Sequence, residues 1–90
     1  MTAAPALSTI DVVQIIVRVV APYLGETMAR SAAQAHCQKL GISADRMQPA
    51  QAEALIGKMG AGLNVFVGRE KSTVMVAELR RAIQAQAAGS

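Results

Sequence analysis

The sequence predicts an all-α fold, a four-helix bundle, and three observations favour it. Of the 90 residues, 52% are hydrophobic, yet only Tyr23 and Phe66 are aromatic. The apolar residues are therefore mostly Ala, Val, Ile, Leu and Met, and alanine and leucine favour helices. Polar residues recur at helical spacing in four segments, and proline or glycine separates these segments. A chain of this length forms one domain with a thin core.

The predicted helices cover residues 9–21, 23–40, 49–67 and 70–87. Together they make a helical bundle domain at 9–87, with a flexible leader at 1–8 and a frayed tail at 88–90.

The first predicted helix contains the stretch DVVQIIVRVVAP, residues 11–22. Ser8 or Thr9 can cap it, and a negative charge in its first turn suits the helix dipole. Asp11, Gln14 and Arg18 fall on one line at 100° per residue, and the other residues of this stretch before its proline are aliphatic. The β-branched content would also suit a strand, but the period-two alternation of a half-buried strand is missing. Pro22 is expected to end or kink this helix.

The second helix has a polar face and an apolar face. Glu26, Arg30, Gln34 and Gln38 recur at every fourth position, and Gly41 is a natural stop. The expected buried side comprises Leu24, Met28, Ala29, Ala32, Ala35, His36 and Leu40.

The third helix starts at Pro49, which suits a first helical position. GKMGAG, residues 57–62, does not match the order of a phosphate-binding P-loop, and it indicates close helix packing or a bend. The expected buried face comprises Ala52, Leu55, Ile56, Met59, Leu63, Phe66 and Val67.

The fourth helix follows Gly68. Its expected buried side comprises Met75, Val76, Leu79, Ala82 and Ile83, and Glu78, Arg81 and Ala85 are expected outside. A β-hairpin is the alternative here, since LNVFV and TVMVA bracket GREKS. A lone hairpin would need further strands, which the sequence does not supply.

The first helix suggests the function. It has more aliphatic circumference than a short chain is expected to cover, and large exposed apolar patches usually mark a partner site. We therefore expect a non-enzymatic, homo-oligomerising protein-interaction module, in the simplest case a homodimer, that can also bind another protein. The predicted interaction surface comprises Val12, Ile15, Ile16, Val19 and Val20.

The sequence does not favour enzymatic chemistry. His36 and Cys37 are adjacent, so on a helix they point about 100° apart. His36 is the single histidine, and zinc needs three or four ligands. A buried or interface histidine with one hydrogen bond is the simplest interpretation. Four methionines, Met28, Met47, Met59 and Met75, more often fill a core than line a groove. No catalytic residue, cofactor or metal is predicted.

A small DNA-binding or transcription-associated protein is the alternative function. The net charge is +3, and Arg69, Lys71, Arg80 and Arg81 are its candidate contacts. Few aromatic residues are available for base stacking, so this alternative is not favoured.

Cysteine usage and hydropathy favour a cytoplasmic protein. The single cysteine cannot form an internal disulfide. The N-terminal MTAAPALSTI lacks the basic region of a signal peptide. Gln14 and Arg18 interrupt the longest apolar run, which is too short for a membrane span.

The stretch APYLGETMAR, residues 21–30, resembles a segment of small helical modules at the ends of bacterial signalling proteins. Those modules carry a Tyr, an Ile or Leu and a Gly after an apolar helix, followed by Ala and a basic residue. Tyr23, Leu24, Gly25, Ala29 and Arg30 match, whereas Glu26 stands where a proline often follows the glycine. The resemblance covers about 20 residues and implies a regulatory, protein-binding role in a bacterium.

Overall fold

The computed structural model describes the backbone of residues 7–89 and the side chains of residues 7–86. This part of the chain contains four helices and one small antiparallel ladder, so the predicted all-α class is confirmed. The elements are β1 (Leu7–Ser8), α1 (Thr9–Leu24), α2 (Glu26–Lys39), β2 (Arg46–Met47), α3 (Pro49–Val67) and α4 (Arg69–Gly89).

The two ends of the predicted domain differ slightly from expectation. The last two residues of the predicted leader form β1, and Leu7 is buried. The rest of that leader, residues 1–6, lies outside the described residues. The backbone of α4 continues through Gly89, and only Ser90 of the predicted tail lies outside the described backbone.

The start of α1 is fixed by two hydroxyl groups. The backbone N–H of Asp11 donates to Ser8 Oγ at 3.3 Å, so Ser8 is the N-cap. The Thr9 hydroxyl donates to the carbonyl of Ser43 at 2.7 Å. The Thr9 N–H donates to the carbonyl of Asp45. The connection between α2 and α3 is thereby tied to the first turn of α1.

Pro22 was predicted to end or kink the first helix, and the predicted end is wrong, because α1 continues to Leu24. Pro22 lies in the last turn, so the backbone hydrogen bond that it cannot donate is lost close to the end of the helix. The helix ends at Gly25, whose φ of 86° and ψ of 153° are outside the range that residues with a side chain usually adopt.

The junction between α3 and α4 repeats this arrangement. Gly68 has φ 88° and ψ 166°. In both junctions the glycine N–H donates to the carbonyl four residues before it, and the glycine carbonyl accepts from the N–H four residues after it. The chain therefore consists of two similar helix–glycine–helix units, and the alternative hairpin at LNVFV–TVMVA is wrong.

The two units pack side by side. α1 packs mainly on α2, and α3 mainly on α4; α1 also packs on α4 and α2 on α3. α2 and α4 therefore lie at opposite corners. One apolar core fills the space between the helices, and its largest fully buried side chains are Val12, Ile16, Val20, Met47, Leu55, Ile56, Leu63, Met75 and Leu79.

Small side chains set the close approaches between helices. The buried residues of α2 are Ala29, Ala33 and Cys37, at every fourth position, and such a stripe lets a neighbouring helix pack closely. In α3, a Cβ on Gly60 would lie 2.7 Å from Val76 Cγ2 of α4. The buried Ser72 hydroxyl of α4 donates to the Gly60 carbonyl at 2.9 Å. The prediction of close packing is confirmed at this glycine.

Candidate interaction surface

The predicted interaction surface on α1 is covered by the chain itself. Val12, Ile16 and Val20 have no exposed area, and Ile15 is 5% exposed. Val19 is partly buried and packs against the same core. The expectation that a second molecule must cover these residues is therefore wrong. The small-residue stripe of α2 lets that helix approach α1 closely, and α4 covers α1 from another side.

The polar line of α1 is placed as predicted. Gln14 and Arg18 are exposed, and Asp11 is partly exposed. Gln86 Nε2 of α4 donates to Asp11 Oδ2 at 3.3 Å. This line is therefore one of the parts of α1 that the core does not cover.

A groove between α2 and α3 is the candidate interaction surface, and we call it the α2/α3 groove. Its volume is about 450 Å³. Met28 is 49% exposed and Phe66 62% exposed, although the sequence placed both on buried faces. The lining is mostly apolar and comprises Leu24, Met28, Ser31, Ala32, His36, Met59, Gly62, Leu63 and Phe66.

The error at Met28 has a physical reason. The expected buried side of α2 included Ala29 together with Met28, Ala32 and His36. The buried residues are Ala29, Ala33 and Cys37, so the observed face is rotated about the helix axis and shares only Ala29 with the expected one. The buried face of α2 is the one with small side chains, because it packs against the bulky aliphatic side chains of α1. The spacing of Ala29, Ala33 and Cys37 at every fourth position was the available signal. Among the methionines of residues 7–86, Met28 lies at the surface, whereas Met47, Met59 and Met75 are buried, as predicted for a core.

His36 is half-buried in the wall of the α2/α3 groove. Its Nδ1 is buried and has no hydrogen-bond partner, so the hydrogen bond expected for it is absent at that atom. Burial lowers the pKa of His36, and the charges of Lys39 and Lys58 lower this pKa further. The imidazole in the groove is therefore held in its neutral form to a lower pH than a free histidine.

Cys37 lies on a different side of α2 from His36, as the helical spacing predicted. Its thiol is buried against the core, and burial raises its pKa, which disfavours the nucleophilic thiolate. A separate surface cavity of about 380 Å³ adjoins it, with Thr9, Ile10 and Arg30 in its wall. His36 lines the α2/α3 groove and is not part of that wall.

Two of the four candidate nucleic-acid contacts line the same cleft. Arg69 and Arg80 line a shallow cleft between α3 and α4 that does not include Lys71 or Arg81. Arg80 is also engaged by Glu53, since its guanidinium donates to both carboxylate oxygens at 3.1–3.2 Å. This hydrogen bond and the charge of Glu53 raise the pKa of Arg80.

The described part of the chain shows neither a candidate metal site nor a candidate membrane span. Among residues 7–86, His, Cys, Asp and Glu side chains do not come together in a group of three that could hold a metal ion. Between residues 7 and 89, none of the helices has the length and apolar character needed to cross a bilayer.

Comparison with protein-family models, with curated proteins and with solved structures finds no match to this chain. The resemblance of residues 21–30 to modules of bacterial signalling proteins therefore stays a prediction.

Proposed function

We propose that this chain is a non-enzymatic protein-interaction module, a four-helix bundle that self-associates through the α2/α3 groove. The observation that carries the proposal is the exposure of Met28 and Phe66 on opposite walls of one apolar groove. Large apolar side chains that share an exposed concave surface are typical of a site that a partner covers.

The chemistry of the groove supports binding and not catalysis. Its single titratable side chain is His36, whose lowered pKa favours the neutral imidazole. Ser31 is the only hydroxyl side chain in the lining. A nucleophile activated by a base and oriented by a third group is thus missing from the described lining. A regulatory role in bacterial signalling, which the resemblance at APYLGETMAR implies, belongs to the same proposal.

Sedimentation velocity of the purified chain over a wide concentration range tests the proposal. We expect species larger than the 9.4 kDa monomer, and we expect Phe66→Asp to shift the distribution towards monomer. A buried carboxylate at the contact would have to be desolvated, which costs several kcal/mol in an apolar site, so self-association through the groove should be lost.

Val65→Asp is the matched control. Val65 is adjacent in sequence and is 83% exposed, but it does not line the groove. Val65→Asp should therefore leave the self-association of the chain unchanged. A wild-type chain that stays monomeric at the highest concentration would refute self-association, and equal effects of the two substitutions would refute the groove as the contact.

A further inference from the structure

We propose that the cavity beside Cys37 binds a small aliphatic carboxylate, and we call it the α1/α2 cavity. Its volume is about 380 Å³, which is within the range of small-molecule sites. The first turns of α1, one side of α2 and the connection that follows α2 form its wall. None of the described residues that line this cavity also lines the α2/α3 groove. The two sites are therefore separate, and neither depends on the other.

One end of the α1/α2 cavity is aliphatic. α1 and α2 pack on each other and are joined through Gly25 alone, so the beginning of α1 lies beside the end of α2. Ile10 of α1 and Ile42 of the connection therefore belong to the same end. Val13 and Cys37 are each 7% exposed and form the floor, whereas Ile10 is 62% exposed at the rim. An aliphatic ligand chain would cover this open apolar surface.

The polar side of the cavity is a line of three side chains on α2. Arg30, Gln34 and Gln38 recur at every fourth position and extend over ~12 Å of the helix. Arg30 is the member of this line farthest from Ile10 and Ile42, and it is the one charged side chain among the described residues of the lining. A single cation suits a monoanion, and arginine binds a carboxylate through two parallel hydrogen bonds. We therefore expect a carboxylate at Arg30 with its aliphatic chain extending towards Ile42.

The hydrogen-bond donors of the Arg30 guanidinium are not taken by its acidic neighbour. Arg30 Nη2 lies 3.7 Å from Glu26 Oε2, which is beyond hydrogen-bond range. The two side chains are 42% and 73% exposed, and exposed ion pairs contribute little. Arg80, by contrast, donates to both carboxylate oxygens of Glu53 at 3.1–3.2 Å. Of these two arginines, Arg30 is the one that can bind the carboxylate of a ligand without losing a hydrogen bond.

Hydrogen bonds hold the connection after α2 in place as part of the wall. The Thr9 hydroxyl of α1 donates to the Ser43 carbonyl at 2.7 Å. The Ile42 N–H donates to the Cys37 carbonyl of α2 at 2.9 Å. Both helices are thereby tied to the connection, so the cavity is formed before a ligand binds. A preformed site loses less conformational entropy on binding than a site that must be ordered by its ligand.

Titration of the isotope-labelled chain with octanoate, followed by NMR, tests the site. Octanoate should shift the amide signals of Ile10, Val13 and Ile42 in a saturable way and leave those of Met28 and Phe66 in place. Octanol and octylamine have the same number of carbon atoms, with a neutral and a cationic head group. Each should bind at least about tenfold more weakly, because neither can accept a pair of charge-assisted hydrogen bonds from a guanidinium.

Two substitutions separate the contribution of the head group from that of the aliphatic chain. Arg30→Gln should weaken octanoate binding by about tenfold and leave octanol binding unchanged. Ile10→Ser should weaken the binding of both molecules, and the exposure of Ile10 makes this change compatible with the fold. Glu26→Gln should tighten octanoate binding, because it removes the carboxylate nearest to Arg30.

Lys39→Gln is the matched control for Arg30→Gln. It removes the same charge from an exposed position of α2 that does not line the cavity, so octanoate binding should not change. Circular dichroism of each variant shows whether its helices are retained.

The results that would overturn the proposal are distinct. The absence of saturable shifts at millimolar octanoate would refute the site, and so would shifts centred on Met28 and Phe66. Equal affinities for octanoate and octanol, or equal effects of Arg30→Gln and Lys39→Gln, would refute the carboxylate as the group that is recognised. Self-association of the wild-type chain is measured separately, so none of these results decides the proposed function.

Discussion

At the scale of single residues, Gly60 decides how closely α3 approaches α4. A Cβ at this position would lie 2.7 Å from Val76 Cγ2, which is closer than two carbon atoms can pack. Val76 cannot rotate away freely, because a β-branched side chain has one strongly preferred rotamer in a helix. The carbonyl of Gly60 also accepts the hydrogen bond of the buried Ser72. One glycine thus sets both the distance and a polar contact between the helices.

We expect Gly60→Ala to be less stable than Gly57→Ala by about 1–3 kcal/mol, the usual cost of overpacking. Gly57 is exposed and has no atom within 4 Å of an added Cβ. Alanine there should stabilise the helix by about 0.5–1 kcal/mol. Urea unfolding of both variants measures the difference. Gly60→Ala combined with Val76→Ala should recover part of the loss; no recovery would show that the clash is not the cause.

His36 links the α2/α3 groove to pH. Desolvation lowers its pKa, with further contributions from Lys39 of α2 and Lys58 of α3. The pKa of histidine in an unfolded chain is about 6.5. Below this value the unfolded chain binds more protons than the folded chain. The stability that His36 contributes is therefore fully present above the unfolded-state pKa and is lost as the pH falls through the folded-state pKa.

We expect the free energy of unfolding of the wild type to decrease more between about pH 7.5 and about pH 5 than that of His36→Gln, because glutamine does not titrate. Carboxylates contribute equally to both chains, so the difference between the two curves isolates His36. Urea unfolding at a series of pH values provides the curves. Parallel curves would contradict a lowered pKa at this position.

At the scale of elements, two glycines divide the chain into its helices. Gly25 and Gly68 have nearly the same conformation, with φ 86° and 88°. Each continues the hydrogen bonding of the helix before it and starts that of the helix after it. The chain can therefore reverse direction over a single residue, which places α2 on α1 and α4 on α3 without a loop.

Alanine at either junction should lower the free energy of unfolding by about 1–3 kcal/mol, because its Cβ is strained at these backbone angles. Neither position is crowded, so the effect would come from the backbone and not from a clash. Gly62→Ala is the control, since Gly62 is also uncrowded but does not have a positive φ. Thermal unfolding followed by circular dichroism compares the three variants. If the Gly25→Ala variant unfolded at the same temperature as the wild type, α1 and α2 could join in another backbone geometry.

At the scale of the whole molecule, the core closes within one chain. The α1 residues predicted to need a partner are covered by α2, α4 and the β1–β2 end of the fold. Self-association is accordingly proposed for a surface that is separate from the core. A chain with a closed core should fold before it associates, so its stability at low concentration should not depend on protein concentration.

Ile16→Ala should lower the free energy of unfolding by about 2–5 kcal/mol at concentrations where the chain is monomeric. Ile16 has no exposed area, whereas Ile10 of the same helix is 62% exposed. Ile10→Ala should therefore change the stability by no more than about 0.5 kcal/mol. Urea unfolding at two protein concentrations measures both effects. An Ile16→Ala variant that unfolds no more easily than Ile10→Ala would show that α1 is not central to the core.

Much of the fold could be predicted from local chemistry. Ser8, Pro49 and Gly68 mark ends of helices because each acts through its own backbone or cap, which needs no distant partner. The buried side of α4 was also predicted correctly, since Met75, Leu79 and Ile83 form a single apolar stripe. The β1–β2 ladder could not be predicted, because a two-residue strand has no period and is stabilised by pairing with a distant segment.

The candidate groove lay beyond what the sequence could determine. The sequence pattern around an apolar residue such as Met28 is the same whether its side chain faces the core or a partner. Propensity and caps act over a few residues, so they were enough to predict the four helical segments and the break at Gly68. They did not predict the break at Gly25, which was placed at Pro22. Packing of the helices settled which face of α2 lies against α1, since that choice depends on the space between them. It thereby buried Ile16 and left Met28 and Phe66 at the surface.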